Sequence, residues 1–150
     1  MKKEVVAIVV GGGPAPGING VISAATIEAV NSGKEIIGIV GGFKSLFAGD
    51  KKCGIPLTIE KVSRIHTSGG SILKTSRDPI DSAKEKFKVL LNTLKSLNVR
   101  YLITIGGDGT AFMARWIWQA MFGSGFPAYI CLIHISQLMA EKIQVSLQRT

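Results

Sequence analysis

The chain has 150 residues, 46% of them hydrophobic, which is enough for one sizeable core in a single domain and too apolar for a disordered chain. Eighteen basic residues against ten acidic ones give a net charge of +8, which suits polyanionic partners. The lysines are spread out, however, with Lys84, Lys86, Lys88 and Lys95 flanking an apolar stripe and no arginine-rich run with interleaved aromatics, so phosphate-bearing small molecules are expected and nucleic acid is not.

Cys53 and Cys131 stand alone, with no partner at metal-ligand spacing, and Met1-Lys2-Lys3 opens no secretory leader. A reducing, cytoplasmic setting is expected. Every apolar run falls short of the roughly 20 residues that cross a bilayer, so no membrane role is expected.

In chain order, the valine-rich run 5–10 is continuously apolar, the pattern of a strand covered on both faces in a parallel sheet. A glycine loop follows, Gly11-Gly12-Gly13-Pro14-Ala15-Pro16-Gly17-Ile18-Asn19. Asn19 is read as the cap of a helix to about residue 31, where Asn31-Ser32-Gly33 supplies a left-handed stop. Residues 36–40 make the next buried strand, completing one βαβ unit. Asp78-Pro79 opens a helix whose apolar residues Ile80, Ala83, Phe87, Leu90, Leu91, Leu94 and Leu97 recur at three and four, and Asn98 closes it. Residues 101–105 form a third strand, followed by Gly106-Gly107-Asp108-Gly109-Thr110. From there, 111–122 reads as a helix, Gly123-Ser124-Gly125 as a turn and 126–133 as a fourth strand. The fold class expected is α/β, an open, mostly parallel sheet with helices on both faces, and both glycine loops then lie on the carboxyl rim where such sheets bind ligands.

Glycines let backbone come against phosphate oxygens, and a lone carboxylate among them can hold the Mg²⁺ that travels with those phosphates. Asp108 is therefore the candidate metal ligand. The first loop is not a Walker A loop, because no Gly-Lys-Ser/Thr ends it, nor a dinucleotide fingerprint, because Pro16 replaces the third glycine and no acid ends the second strand. NAD binding is disfavoured. NAD kinases and lipid kinases share a Gly-Gly-Asp-Gly-Thr loop, but do not open with Ala15-Pro16-Gly17-x-Asn19.

Four segments in this order and spacing resemble the amino-terminal half of a phosphofructokinase: Gly12-Gly13-x-Ala15-Pro16-Gly17-x-Asn19, Gly42-Phe43-Lys44-x-Leu46, Gly69-Gly70-Ser71-Ile72-Leu73-Lys74-Thr75-Ser76-Arg77, and Gly106 to Thr110. The resemblance runs from about Val5 to Ala114. It implies a homo-oligomeric 6-phosphofructokinase of glycolysis, moving a phosphoryl group to the 1-hydroxyl of fructose 6-phosphate. It further implies that the Gly12 N–H and Arg77 meet the donor phosphates, that Asp78 belongs to the same donor site, that Asp108 binds Mg²⁺, and that Gly107, Gly109 and Thr110 line the nucleotide. Gly109 stands where the family sorts donors, a glycine going with ATP and an aspartate with pyrophosphate. The wording around Gly11-Gly12-Gly13-Pro14 and Arg64-Ile65-His66-Thr67-Ser68-Gly69-Gly70 is closer to the pyrophosphate-dependent or unclassified branch than to the allosteric bacterial ATP enzymes. The allosteric enzymes' effector arginines have no match at Val21, Ile22 and Ser23, so effector control is not expected.

The resemblance also implies a general base on a strand-end segment reading roughly Pro-x-Thr-Ile-Asp-Asn-Asp, yet Leu132-Ile133-His134-Ile135-Ser136 stands there and no aspartate follows Asp108. The catalytic base is therefore unassigned, and His134 has no partner legible in sequence. His66 reads as a locally bonded loop residue and Lys74 as a loop lysine. Residues 1–114 are expected to form the donor-binding lobe, and 115–150 an atypical tail with a helix and one strand, such as a shifted reading frame would leave. The alternative is a non-catalytic nucleotide-binding module that this tail completes.

Overall fold

The computed structural model of the chain describes residues 3–77, 83–126 and 128–135. Its centre is a sheet of five strands in the order β3-β2-β1-β4-β5 among the described residues. These are β1 Val5–Val10, β2 Glu35–Ile39, β3 Gly54–Pro56, β4 Val99–Gly106 and β5 Tyr129–His134. Four run parallel, and the short β3 pairs antiparallel to β2, so the sheet is mostly parallel.

Side chains alternate across a strand, so β1 feeds two cores. Val5, Ala7 and Val9 face α2 Gly42–Phe47, α4 Ala83–Ser96 and α5 Asp108–Gly123, packing with Phe43, Leu46, Leu90, Leu94 and Ile117. Val6, Ile8 and Val10 face α1 Ile18–Asn31 and α3 Ile59–Val62, packing with Ile18, Ile22 and Val62. Every β1 residue is buried, as its unbroken apolar run predicts. No helix among the described residues is long and apolar enough to cross a membrane.

Several expectations change in detail. Asn19 does not cap α1; that place belongs to Gly17, left-handed at φ 94° with no side-chain cap bond. The buried Asn19 amide instead donates to the carbonyls of Ser68 (3.0 Å) and Gly69 (3.4 Å), and its oxygen accepts from the Ile72 N–H (2.9 Å). It ties the first glycine loop to the third motif. The left-handed stop at Gly33 (φ 73°) stands as read, and Asn98, expected only to close α4, is left-handed as well (φ 57°). The Gly106 turn is shorter than its sequence suggests, because α5 already begins at Asp108, and α5 ends at Gly123, one residue past the helix end expected at 122. The Asp78-Pro79 start of α4 lies outside the described residues. Elements α2, β3 and α3, between residues 42 and 62, were not anticipated.

Candidate functional site

β1 and β4 are adjacent, and the chain leaves them in opposite directions: α1 carries β1 to β2 on one side, while α5 carries β4 to β5 on the other. Such a reversal opens a crevice at the carboxyl ends of the two strands. The loops after β1 and β4 flank that crevice, and the Gly11 N–H donates to the Ile105 carbonyl at 2.9 Å, joining one to the other.

Glycines hold the motifs this close. A Cβ on Gly11 or on Gly106 would strike the Thr110 side chain, so this buried threonine fills the space between the two loops. A Cβ on Gly42 would lie 2.8 Å from the Ser76 backbone nitrogen, and one on Gly13 would lie 2.9 Å from the Arg77 guanidinium. The Gly12 N–H donates to the Ser76 carbonyl at 2.9 Å, and the Ser76 hydroxyl accepts from the Lys44 N–H at 3.2 Å. All four motif segments therefore meet at one point on the rim.

Another set of glycines is open. At Gly12, Gly107 and Gly109 a Cβ would meet nothing within 4 Å, so these positions present bare backbone outward. They surround the amino terminus of α5, whose free N–H groups and positive dipole end favour an anion. Asp108 stands there too, its side chain fully exposed. A phosphate arriving alone would meet a like charge, whereas one carrying a divalent cation would be drawn to it. Among the described residues no three His, Cys, Asp or Glu side chains cluster for a metal. The arrangement fits an ion held by one carboxylate, donor phosphate oxygens and water, as Mg²⁺ prefers.

The expected site residues are thus largely brought together. Gly12, Arg77, Gly107, Asp108, Gly109 and Thr110 share this rim, while Asp78 lies outside the described residues. In two places the structure adds to the expectation. The Gly12 N–H is engaged by Ser76, so what Gly12 offers a ligand here is its missing side chain. His134, for which sequence offered no partner, bonds the Asp108 carboxylate, with Nε2 and Oδ1 2.9 Å apart. His66 lies in a single 3₁₀ turn, Ile65–Thr67, and Lys74 is an exposed loop residue at φ 59°.

The titration shifts lie away from this rim. Burial, and secondarily the negative Asp50, push the Cys53 thiol above its ordinary value. At the opposite end of the sheet, Tyr101 is raised chiefly because its hydroxyl donates to Glu4, at 3.1 Å.

Comparison with known proteins supports the reading of the motifs. Residues 5–141 match the family model described as Phosphofructokinase. The chain is 56% identical over 120 residues to a pyrophosphate--fructose 6-phosphate 1-phosphotransferase of Thermotoga maritima, covering 80% of this chain and 29% of that one. It is 40% identical over 110 residues to an ATP-dependent 6-phosphofructokinase of Aquifex aeolicus, covering 73% of this chain and 33% of that one. The chain thus spans a third or less of these relatives. In fold it superposes on the Pichia pastoris phosphofructokinase in its T-state with a TM-score of 0.81 at 21% identity, over 90% of this chain and 15% of that one. The family match runs past Ala114, where the resemblance in sequence was expected to stop, and so takes in all of α5 and β5. With its motifs gathered at one switch point and its sequence matched over most of its length, the chain belongs to the phosphofructokinase family, a family of phosphotransferase enzymes.

Proposed function

We propose that the rim between β1 and β4 binds the polyphosphate of a phosphoryl donor, and that the whole protein transfers its terminal group to the 1-hydroxyl of fructose 6-phosphate. The observation that carries this is the sorting of the glycines. Gly11, Gly13, Gly42 and Gly106 are small because protein packs against them, while Gly12, Gly107 and Gly109, on the same rim, face open space where a ligand's phosphates could approach. Arg77 brings a forked cation for phosphate oxygens beside Gly13. Asp108 would hold Mg²⁺, which when bound offsets the charge that builds on the donor oxygens. Phosphoryl transfer depends mostly on such positioning and charge stabilisation.

The donor we propose is ATP, because Gly109 stands where the resemblance pairs a glycine with ATP, and a side chain placed there would meet only open space. Pyrophosphate is the second reading, supported by the higher identity to relatives named for it, 56% and 50% against 40% for one named for ATP. Gly109→Asp separates the two. Under the ATP reading it cuts ATP affinity by bulk and charge while pyrophosphate binding survives; unchanged ATP affinity would contradict it.

The 150 residues by themselves are proposed to bind donor without sustained phosphorylation. No aspartate after Asp108 is present to take the sugar hydroxyl's proton. General-base help is worth about 10² to 10⁴ in rate, and positioning roughly 7 to 11 kcal/mol of barrier. Incubating the purified chain with Mg²⁺, fructose 6-phosphate and either donor tests this, with fructose 1,6-bisphosphate as the readout. Background formation is expected, and steady turnover would contradict the proposal.

A further inference from the structure

We propose that His134 is a positioning residue for the Asp108 carboxylate, fixing one oxygen so that the other faces the metal of the donor. This rests on the reading of Asp108 as the metal ligand. β5 pairs in parallel with β4, and the register sets His134 directly opposite Gly106, two residues before Asp108. The last residue of one strand thereby reaches the first turn of the helix that follows its neighbour. An ionised carboxylate only accepts hydrogen bonds, so the ring nitrogen at 2.9 Å must carry a proton, and Nε2–H donates to Oδ1.

Asp108 needs such an anchor. Its side chain is fully exposed, whereas that of His134 is only 26% exposed and is held by the strand. A carboxylate standing free in water samples several rotamers, and a metal must select one of them. An imidazole N–H on Oδ1 selects beforehand and leaves Oδ2 as the ligand atom. Hydrogen-bond partners of metal-binding carboxylates act in this way, and losing one typically costs about 10- to 100-fold in metal affinity.

Mn²⁺ substitutes for Mg²⁺ and is followed by electron paramagnetic resonance. It is titrated into the chain with pyrophosphate or ATP present, for the native sequence, Asp108→Asn, His134→Ala and His134→Gln, the last of which keeps an N–H donor at similar reach. We expect His134→Ala to loosen Mn²⁺ by about tenfold, and His134→Gln to stay within about threefold of native. Metal-free pyrophosphate should bind the native and His134→Ala chains alike, which general loss of structure would not allow. If His134→Ala fails to fold, His134→Leu fills the same space without a donor and takes its place. Native Mn²⁺ affinity in the donor-less variant, alongside loss in Asp108→Asn, would overturn the role of His134 while sparing the metal site. Native affinity in Asp108→Asn would overturn the metal assignment itself, and the role of His134 with it.

Discussion

β1 and β5 are strands of equal length in one sheet, yet their surroundings differ. All six residues of β1 are buried, whereas in β5 Tyr129, Cys131 and Leu132 are exposed and none is fully buried. Helices cover β1 on both faces. Among the described residues β5 is the edge strand, with α5 on one face, while on the α1 side an apolar groove of about 360 Å³ runs between Ala25 and Ala29 of α1 and the strand residues Tyr101, Ile103 and Tyr129. Trp118 and Phe122 on α5 stack on each other at 5.7 Å, and both stand exposed. The proposed donor rim spans this divide: its first glycine loop leaves the fully covered strand, and His134 reaches it from the sparsely covered one. The half of the site at β1 should therefore be set by the core, and the half at β5 by a few local bonds.

The widest contrast should appear on truncating one side chain in each half. Ile8, fully buried in β1, should lose about 2–5 kcal/mol on change to alanine, while the exposed Leu132 should lose under about 1. Urea unfolding of both variants gives the two values, and similar losses would mean that β5 is as deeply packed as β1. Next in size is Gly42→Ala, whose Cβ would press on Ser76 from a backbone at φ 66°; about 1–3 kcal/mol should be lost, with weaker donor binding because Ser76 adjoins Arg77. Undiminished donor affinity in that variant would separate the third motif from the site.

The thiols give a smaller, chemical version of the comparison. Cys131 on β5 is exposed and Cys53 buried, so an aromatic disulfide reagent should label one thiol quickly and the other only on unfolding. Cys53 also carries a signed pH effect. Its folded pKa lies above the unfolded value, near 8.5, so the native state keeps a proton that the unfolded chain gives up. Its contribution is complete below about pH 8 and is lost as pH rises through and beyond that value, which Cys53→Ala should abolish. Smallest of all, Phe122→Ser should leave stability within about 0.5 kcal/mol and reduce self-association.

The same contrast explains what was legible in the sequence. β1 announces itself because burial on both faces demands an unbroken apolar run, β2 and β4 because short runs of mostly apolar residues mark their buried parts, and α4 because one apolar stripe recurs at helical spacing. The short elements between residues 42 and 62 carry no period long enough to read. Asn19 was misread because capping is a local preference, whereas its actual partners lie 49 to 53 residues away. The motif residues were legible as a set, but the division of their glycines into packed and open ones needs coordinates. The His134–Asp108 bond was hidden for a related reason, since it depends on the register of β5 against β4.

The central claim is that the four motifs build one donor site in which a cation joins Asp108 to phosphate. Calorimetric titration of pyrophosphate and of ATP into the native chain and Asp108→Asn, each with Mg²⁺ and with the metal chelated, tests it most directly. The account predicts that Mg²⁺ strengthens donor binding to the native chain, and that Asp108→Asn removes that gain while leaving metal-free binding nearly intact. Equal weakening of both forms, or a metal gain that survives in Asp108→Asn, would contradict it.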